Sequence, residues 1–241
     1  MLARMVRPVG APVFDPATLV LSAWWRANYV TPPWGQNASA GTSGGNDPLD
    51  EATDYPTSGT AVNGLTPAAF NGSTQFLGTA GAFSTYATDT AYSGWVLMKV
   101  TSISTDIAAP SLYDNNNVWS NGPYAGLVLR DSTGTKSATL FHFDGAQQGV
   151  STAIATGAWT LVQWKYDGTN IKIRTNGGSY SSTAAGTLGD LTAPFLVSQA
   201  YDGTKSFTGS ILEIGLSLGV ISDANFDNIK SYVNSRYALA L

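Results

Sequence analysis

The stretch Trp159–Gly178, WTLVQWKYDGTNIKIRTNGG, restricts the possible folds more than any other part of the chain. Successive side chains of an extended strand point to opposite faces. Val162, Trp164 and Tyr166 therefore share one face of a first strand, with Leu161, Gln163 and Lys165 on the other. Asp167-Gly168-Thr169-Asn170 is a short run of favoured turn residues. Beyond it, Ile171 and Ile173 alternate with Lys172 and Arg174, which predicts one buried and one wet face. Asn176-Gly177 supplies a second tight turn. This is an antiparallel hairpin.

Further strand candidates recur at short intervals between turn signals. They are Leu19–Trp25, Ala68–Phe70 and Phe76–Leu77 about an Asn71-Gly72 turn, Gly94–Val100, Ser111–Tyr113, Gly126–Arg130, Ala138–Phe143, Pro194–Gln199 and Gly209–Leu218. Gly94–Val100 is apolar enough to be buried on both faces. The pattern predicts an all-β, two-sheet antiparallel β-sandwich or jelly roll. From Ser222 the period changes: Phe226, Ile229, Val233 and Tyr237 mark one face of an amphipathic helix over 222–239. Ser222 suits its N-cap, Asp223 the positive end of its dipole, and Lys230 and Arg236 its later turns. Residues 1–18, spaced by Pro8, Pro12 and Pro16, read as an extended arm, and 19–241 as a single domain. Residues 31–63 are rich in Gly, Ser, Thr, Asn and Pro and carry no clear element.

Composition narrows the chemistry. The chain has one histidine, His142, no cysteine, and only two glutamates, Glu51 and Glu213, in 241 residues. Those residue types do most acid–base and nucleophilic work, so a non-enzymatic module is expected. The lack of cysteine excludes disulfides and Cys-ligated zinc. Charged residues make up 12%, about half the usual share. A net charge of -4 argues against a nucleic-acid partner. No apolar run has signal-peptide or membrane-spanning length, so the reading is a soluble chain made without a classical export signal.

Several residues are candidates for recognition. The loop bearing Asp114, Asn115, Asn116 and Trp119 joins amides and a carboxylate, which bind hydroxyls, to an aromatic face, which covers sugar C–H groups. Tyr124 and Trp34 are further platforms. Arg4 and Arg7, with Pro8 and Pro12, suit an arm that docks on an acidic partner. Asp47, Asp50, Glu51 and Asp54 are hard oxygen donors, but Pro48 and their spacing do not fit an EF-hand. A solvated loop is the reading there, with calcium as the alternative and no other cofactor expected. His142, between Phe141 and Phe143, reads as a packed residue, and Glu213 as a structural one.

Four segments resemble the laminin-G-like, concanavalin-A-like jelly roll. They are FDPATLVLSAWWRANY (Phe14–Tyr29), AAFNGSTQFL (Ala68–Leu77), GAWTLVQWKYDGTNIKIRTNGG (Gly157–Gly178) and FTGSILEIGLSLGVISDANFDNIKSYVNSRY (Phe207–Tyr237). The resemblance implies a concanavalin-A-like sandwich closed by a short C-terminal helix. Hydrolases of that fold place two glutamates on one strand, and retaining chemistry needs them roughly 5 Å apart. This chain matches only Glu213, so a glycan hydrolase is a remote alternative. Trp34 is followed by Gly35-Gln36-Asn37 with no adjacent acid, a departure that counts against calcium in this loop. In overall form the chain is similar to bacteriophage structural proteins. The expectation is a virion surface component, in the capsid, head or tail fibre, assembled in the host cytoplasm. Its partners would be other virion proteins and further copies of itself, with neither nucleic acid nor membrane. The alternative is a lectin module for host glycans.

Overall fold

A computed structural model describes residues 14–26, 56–82, 91–103, 107–112, 125–132, 134–188, 194–198 and 207–241. The strands, in chain order, are β1 (Ala23–Arg26), β2 (Thr57–Ser58), β3 (Ala68–Asn71), β4 (Leu77–Ala82), β5 (Tyr92–Val100), β6 (Ile107–Leu112) and β7 (Ala125–Ser132). They continue with β8 (Thr135–Phe143), β9 (Gln147–Ala153), β10 (Trp159–Tyr166), β11 (Asn170–Thr175), β12 (Ser181–Ala184), β13 (Pro194–Val197) and β14 (Thr208–Ser217). A single helix, α1 (Asp223–Tyr237), follows among the described residues.

These strands form two antiparallel sheets packed face to face, as expected. One has eight strands in the order β12-β11-β10-β5-β14-β3-β2, with β1 also on β14; the other has six, β4-β13-β6-β7-β8-β9. The long strand β14 shares one edge end to end between β3, at Thr208–Ile211, and β1, at Glu213–Leu216. Between the sheets lies a core that includes Trp25, Val96, Leu127, Leu140, Val162, Trp164, Ile173 and Phe195. Trp25 stacks on Phe195 at 5.5 Å, and Phe70 meets Phe207 edge-on at 5.7 Å. Along one side of the sandwich, hydroxyls bridge the sheets: Thr183 Oγ1 donates to Gly149 O at 3.3 Å and Thr175 Oγ1 to Ala153 O at 3.4 Å.

The predicted hairpin is β10–β11, with Trp164 opposite Ile173 and Tyr166 opposite Ile171. Its second face is not wet. Helix α1 lies across it, turning Phe226, Ile229, Tyr232, Val233 and Tyr237 onto Trp24, Trp95, Leu97 and Leu161 as a second apolar layer. Full burial of each large apolar side chain contributes about 1.5–3 kcal/mol, which holds the helix down. Arg174 is consequently buried and pairs with Asp227 at 2.7 Å, and buried Lys165 pairs with Asp223 at 2.5 Å. Gln163 links both: its Nε2 donates to Phe226 O and its Oε1 accepts from Arg174 Nε. Only Lys172 keeps the expected partly open position, paired with Asp167 at 2.7 Å.

Glycine is required where aromatic rings press closely on the eight-stranded sheet, Trp95 in the helix layer and Trp164 in the core between the sheets. A Cβ on Gly215 would lie 2.1 Å from the Trp95 ring, and one on Gly94 would lie 2.6 Å from the Trp164 ring.

Other expectations change locally. The Asn71-Gly72 turn exists, with Gly72 at φ 72° and Asn71 Oδ1 accepting from the N–H groups of Ser73 and Thr74. It joins no hairpin: β3 pairs with β14 and β2, whereas β4 pairs with β13 in the opposite sheet. The side chain of Asn71 closes a wider turn that carries the chain from one sheet to the other. At the N-terminal side, Pro16–Thr18 form a 3-10 turn instead of continuing an extended arm. Asp15 caps it and Pro16 is buried. The first strand begins only at Ala23, because a tight Leu21 N to Leu19 O bond bends the preceding residues. Helix α1 starts as predicted, with Ser222 Oγ accepting from Asn225 N at 3.2 Å, and ends at a left-handed Ala238.

Candidate functional site

The site is built on one end of the sandwich, where β5 and β7 begin and β6, β8 and β10 end. Strand alternation points His142 of β8 inward, as it does Ala138 and Leu140, while Tyr92 and Tyr166 point inward from the facing sheet. The three rings meet: His142 lies 4.5 Å from Tyr166 and 6.0 Å from Tyr92. His142 Nε2 is 2.9 Å from Gly186 O, and Nδ1 is 3.1 Å from the Tyr92 hydroxyl. A carbonyl can only accept, so Nε2 carries the proton. Burial pushes the imidazole pKa below its ordinary value and keeps the ring neutral, although Gly186 O and the charge of Asp144 act the other way. Nδ1 is then an acceptor, and the Tyr92 hydroxyl donates to it. Burial, with Tyr166 adding to it, raises the Tyr92 phenol and keeps it protonated.

Gly186 is the shared partner. Its carbonyl also accepts from the Tyr166 hydroxyl at 2.7 Å, and its N–H donates to Asp144 Oδ2. Asp144 sits in the β8–β9 turn, where Oδ1 accepts from Ala146 N at 3.2 Å. The Gly186 N–H, followed by those Ala146 and Gln148 contacts, lowers its carboxyl pKa despite partial desolvation. The arrangement ties the β8–β9 turn, the segment after β12 and both sheets into one rigid end. With both nitrogens engaged and no exposure to solvent, His142 positions this end and does not reach a substrate.

This end holds the two strand termini that flank residues 113–124, the segment of the predicted recognition loop. Leu112, the last residue of β6, pairs with Ala125, the first of β7, and Ala125 pairs with His142. The bracket of the 113–124 segment is therefore anchored on the histidine knot. Asp114, Asn115, Asn116, Trp119 and Tyr124 themselves lie outside the described residues. So do Trp34, Asp47, Asp50, Glu51, Asp54 and the arm residues Arg4, Arg7, Pro8 and Pro12. Beside the bracket stand half-buried Phe143 and Gln148, exposed Gln147 and the carboxylate of Asp144. Further round, Asp167 accepts from the N–H groups of Thr169 and Asn170. Desolvation opposes ionisation of Asp167, but Lys172 and these N–H groups outweigh it and hold its carboxyl well below the usual range.

Glu213 occupies the opposite surface of the eight-stranded sheet, beneath the helix. Its Oε1 accepts from Trp24 Nε1 and its Oε2 from the Tyr237 hydroxyl, both at 2.8 Å. Burial pushes its pKa up, offset in part by these two bonds and by Arg236 and Arg26. It joins β1, β14 and α1, and its partners among the described residues are Trp24 and Tyr237, so it holds the helix in place. Among the described residues no group of three or more His, Cys, Asp or Glu side chains could hold a metal ion, and no helix is long and apolar enough to cross a membrane.

The Gly186 contribution was missed in the sequence because it lies in the featureless run TAAGTLG. Its only signal is the Asp144-Gly145 turn that its partner occupies.

No family model matches the chain, and no curated protein matches it. Solved structures do. Domain 4 of AbnA, an extracellular GH43 arabinanase from Geobacillus stearothermophilus solved in complex with arabinotriose, aligns with TM-score 0.62 at 14% identity, over 88% of this chain and 96% of that one. The CBM40 of the Ruminococcus gnavus IT-sialidase, bound to α2,3-sialyllactose, aligns with TM-score 0.51 at 13% identity, over 68% and 96%. The binding domain of botulinum neurotoxin serotype G aligns with TM-score 0.64 at 8% identity, over 87% and 50%. At such identities the likeness is one of fold, and that fold is the lectin-like antiparallel β-sandwich.

Proposed function

We propose that the chain is a carbohydrate-binding β-sandwich module that holds a glycan at the end bracketed by Leu112 and Ala125, without turning it over. The observation that carries the reading is the match over almost the full length of a domain whose structure is in complex with arabinotriose. Two features of this chain support it. The outer face of the eight-stranded sheet is occupied by α1, so that face is not available to a ligand. The histidine knot also makes that end stiff, and a pre-organised loop base lowers the ordering cost of binding. The two groups best suited to acid–base work, His142 and Glu213, are both buried and fully engaged. The virion-surface reading rests on overall form, the basic arm, the low charge and the shortage of catalytic residues, and the structural likenesses described above do not support it.

The test is a glycan array that includes arabino-oligosaccharides and sialylated glycans, followed by titration of any hit. Binding is expected to weaken about tenfold in Trp119→Ala, the loss of one aromatic platform. A silent array from folded protein, or release of reducing ends from a bound polysaccharide, would sink the proposal.

A further inference from the structure

An asparagine followed by glycine is prone to lose its side-chain amide, because glycine has no Cβ to shield the attacking backbone nitrogen. The described residues hold three such pairs, Asn63-Gly64, Asn71-Gly72 and Asn176-Gly177. A fourth, Asn121-Gly122, lies outside them. The glycine nitrogen attacks only after the asparagine side chain and its turn have opened to bring Cγ within reach. The rate at each pair is therefore set by the contacts that must break first.

Two of the pairs are locked. Asn71 Oδ1 accepts from the N–H groups of Ser73, Thr74 and Gln75, and its Nδ2 donates to Thr74 Oγ1. Gly72 is crowded, since a Cβ there would lie 1.8 Å from Thr208 Oγ1. Asn176 Oδ1 accepts from Leu161 N and Asn176 N donates to Leu161 O, both at 2.9 Å, which ties that turn to β10. A Cβ on Gly177 would lie 2.8 Å from the Lys230 side chain. The third pair is open. Asn63 and Gly64 are the exposed tip of a two-residue turn, at φ 49° and 76°, closed by Val62 N to Leu65 O at 2.8 Å and Leu65 N to Val62 O at 2.9 Å. A Cβ on Gly64 would meet nothing within 4 Å. Among the described residues a single bond holds the Asn63 side chain, from Nδ2 to Arg236 O at 2.8 Å.

We infer that Asn63 is a site of spontaneous deamidation, and that the reaction unfastens the C-terminal turn of α1. The deprotonated Gly64 nitrogen forms a bond to Asn63 Cγ, the Cγ–Nδ2 bond breaks, and Nδ2 leaves as ammonia. Water then opens the resulting five-membered imide at either carbonyl, giving aspartate or isoaspartate, and is the only co-reactant. The lost amide is the donor to Arg236 O, which lies in the last turn of α1, where helix carbonyls lack intrahelical partners. A carboxylate cannot donate, and it would face both that carbonyl oxygen and the negative end of the helix dipole. The same turn carries Tyr237, whose hydroxyl holds Glu213. The inference is independent of the glycan reading and stands whether or not that reading does.

The experiment incubates the full chain in mildly alkaline buffer and follows Asn63, Asn71 and Asn176 by peptide mapping with mass spectrometry. Asn63 is expected to convert several-fold faster than the other two and to yield both aspartyl and isoaspartyl peptides. Asn63→Asp supplies the aspartyl product in uniform form, at an exposed turn where folding is not at risk. It should lower Tm by about 2–4 °C, the loss of one hydrogen bond in a chain of this size. It should also speed amide hydrogen exchange in the last turn of α1 and leave β10 and β11 unchanged. Conversion of Asn71 or Asn176 ahead of Asn63 would overturn the assignment of the site. A Tm equal to that of the parent, or unaltered exchange in the last turn of α1, would overturn the consequence drawn from it.

Discussion

Replacing His142 with phenylalanine isolates the hydrogen bonds of the knot from its packing. The ring volume is nearly kept, so little cavity forms. Gly186 O retains the Tyr166 hydroxyl at 2.7 Å and stays satisfied. The Tyr92 hydroxyl, in contrast, loses its acceptor in a buried site. An orphaned buried hydroxyl costs about 1–3 kcal/mol, so His142→Phe should destabilise by about 2 kcal/mol, or lower Tm by about 4–8 °C for a chain of this size. Tyr92→Phe alone should cost about 1 kcal/mol by orphaning Nδ1. The double variant removes both partners and should cost less than the sum, with a coupling of about 1–2 kcal/mol. Urea unfolding followed by tryptophan fluorescence measures all three. A pH series adds an independent check. Because the folded pKa of His142 lies below its ordinary 6.5, the unfolded chain binds more protons. The stability His142 contributes is present above pH 6.5 and is lost as pH falls from there through the folded pKa. His142→Phe should remove that slope. Additive single costs, or a His142→Phe penalty below about 0.5 kcal/mol, would refute the knot.

Three more outcomes follow from other contacts. Gly215→Ala drives a Cβ into the Trp95 ring, which the helix holds from above, and should cost about 3 kcal/mol in a thermal melt, with Trp95→Leu restoring part of it. Glu213→Leu leaves Trp24 Nε1 and the Tyr237 hydroxyl without acceptors and should cost about 3 kcal/mol or more, Glu213→Gln less, both read by urea unfolding. Since the folded pKa of Glu213 is raised, its contribution is full below 4.5 and shrinks as pH rises through the folded value, a trend that Glu213→Gln should erase. Asp223 has the opposite sign: the Lys165 hydrogen bond lowers its pKa, so its support of α1 is present above pH 3.8 and fades on acidification, and Asp223→Asn should flatten acid unfolding of the helix signal in circular dichroism.

Local pattern was enough for the β10–β11 hairpin, the doubly buried β5 and the Ser222-capped helix, because strand and helix periods are written directly into which positions are apolar. It failed where strands carry few apolar residues. The strands β9 (QQGVSTA) and β12 (SSTA) were not expected, since sheet edges bond through the backbone and need no hydrophobic alternation. It also failed where turn chemistry is ambiguous: Asn71-Gly72 supports a crossing between sheets as well as a hairpin. At the candidate site, Asp114, Trp119 and Tyr124 were chosen from residue type, and the fold contributed the anchoring of their bracket on His142.

Alternating side chains and turn signals alone determined that this chain makes antiparallel sheets with a helix at one end. Tertiary structure decided which faces those sheets turn to water. Arg174 and Lys165 occupy polar positions by period, yet they are buried because α1 returns from far along the chain to cover them. Periodicity records each strand's own two faces, whereas burial depends on what a distant segment places on top, and no local run of residues encodes that.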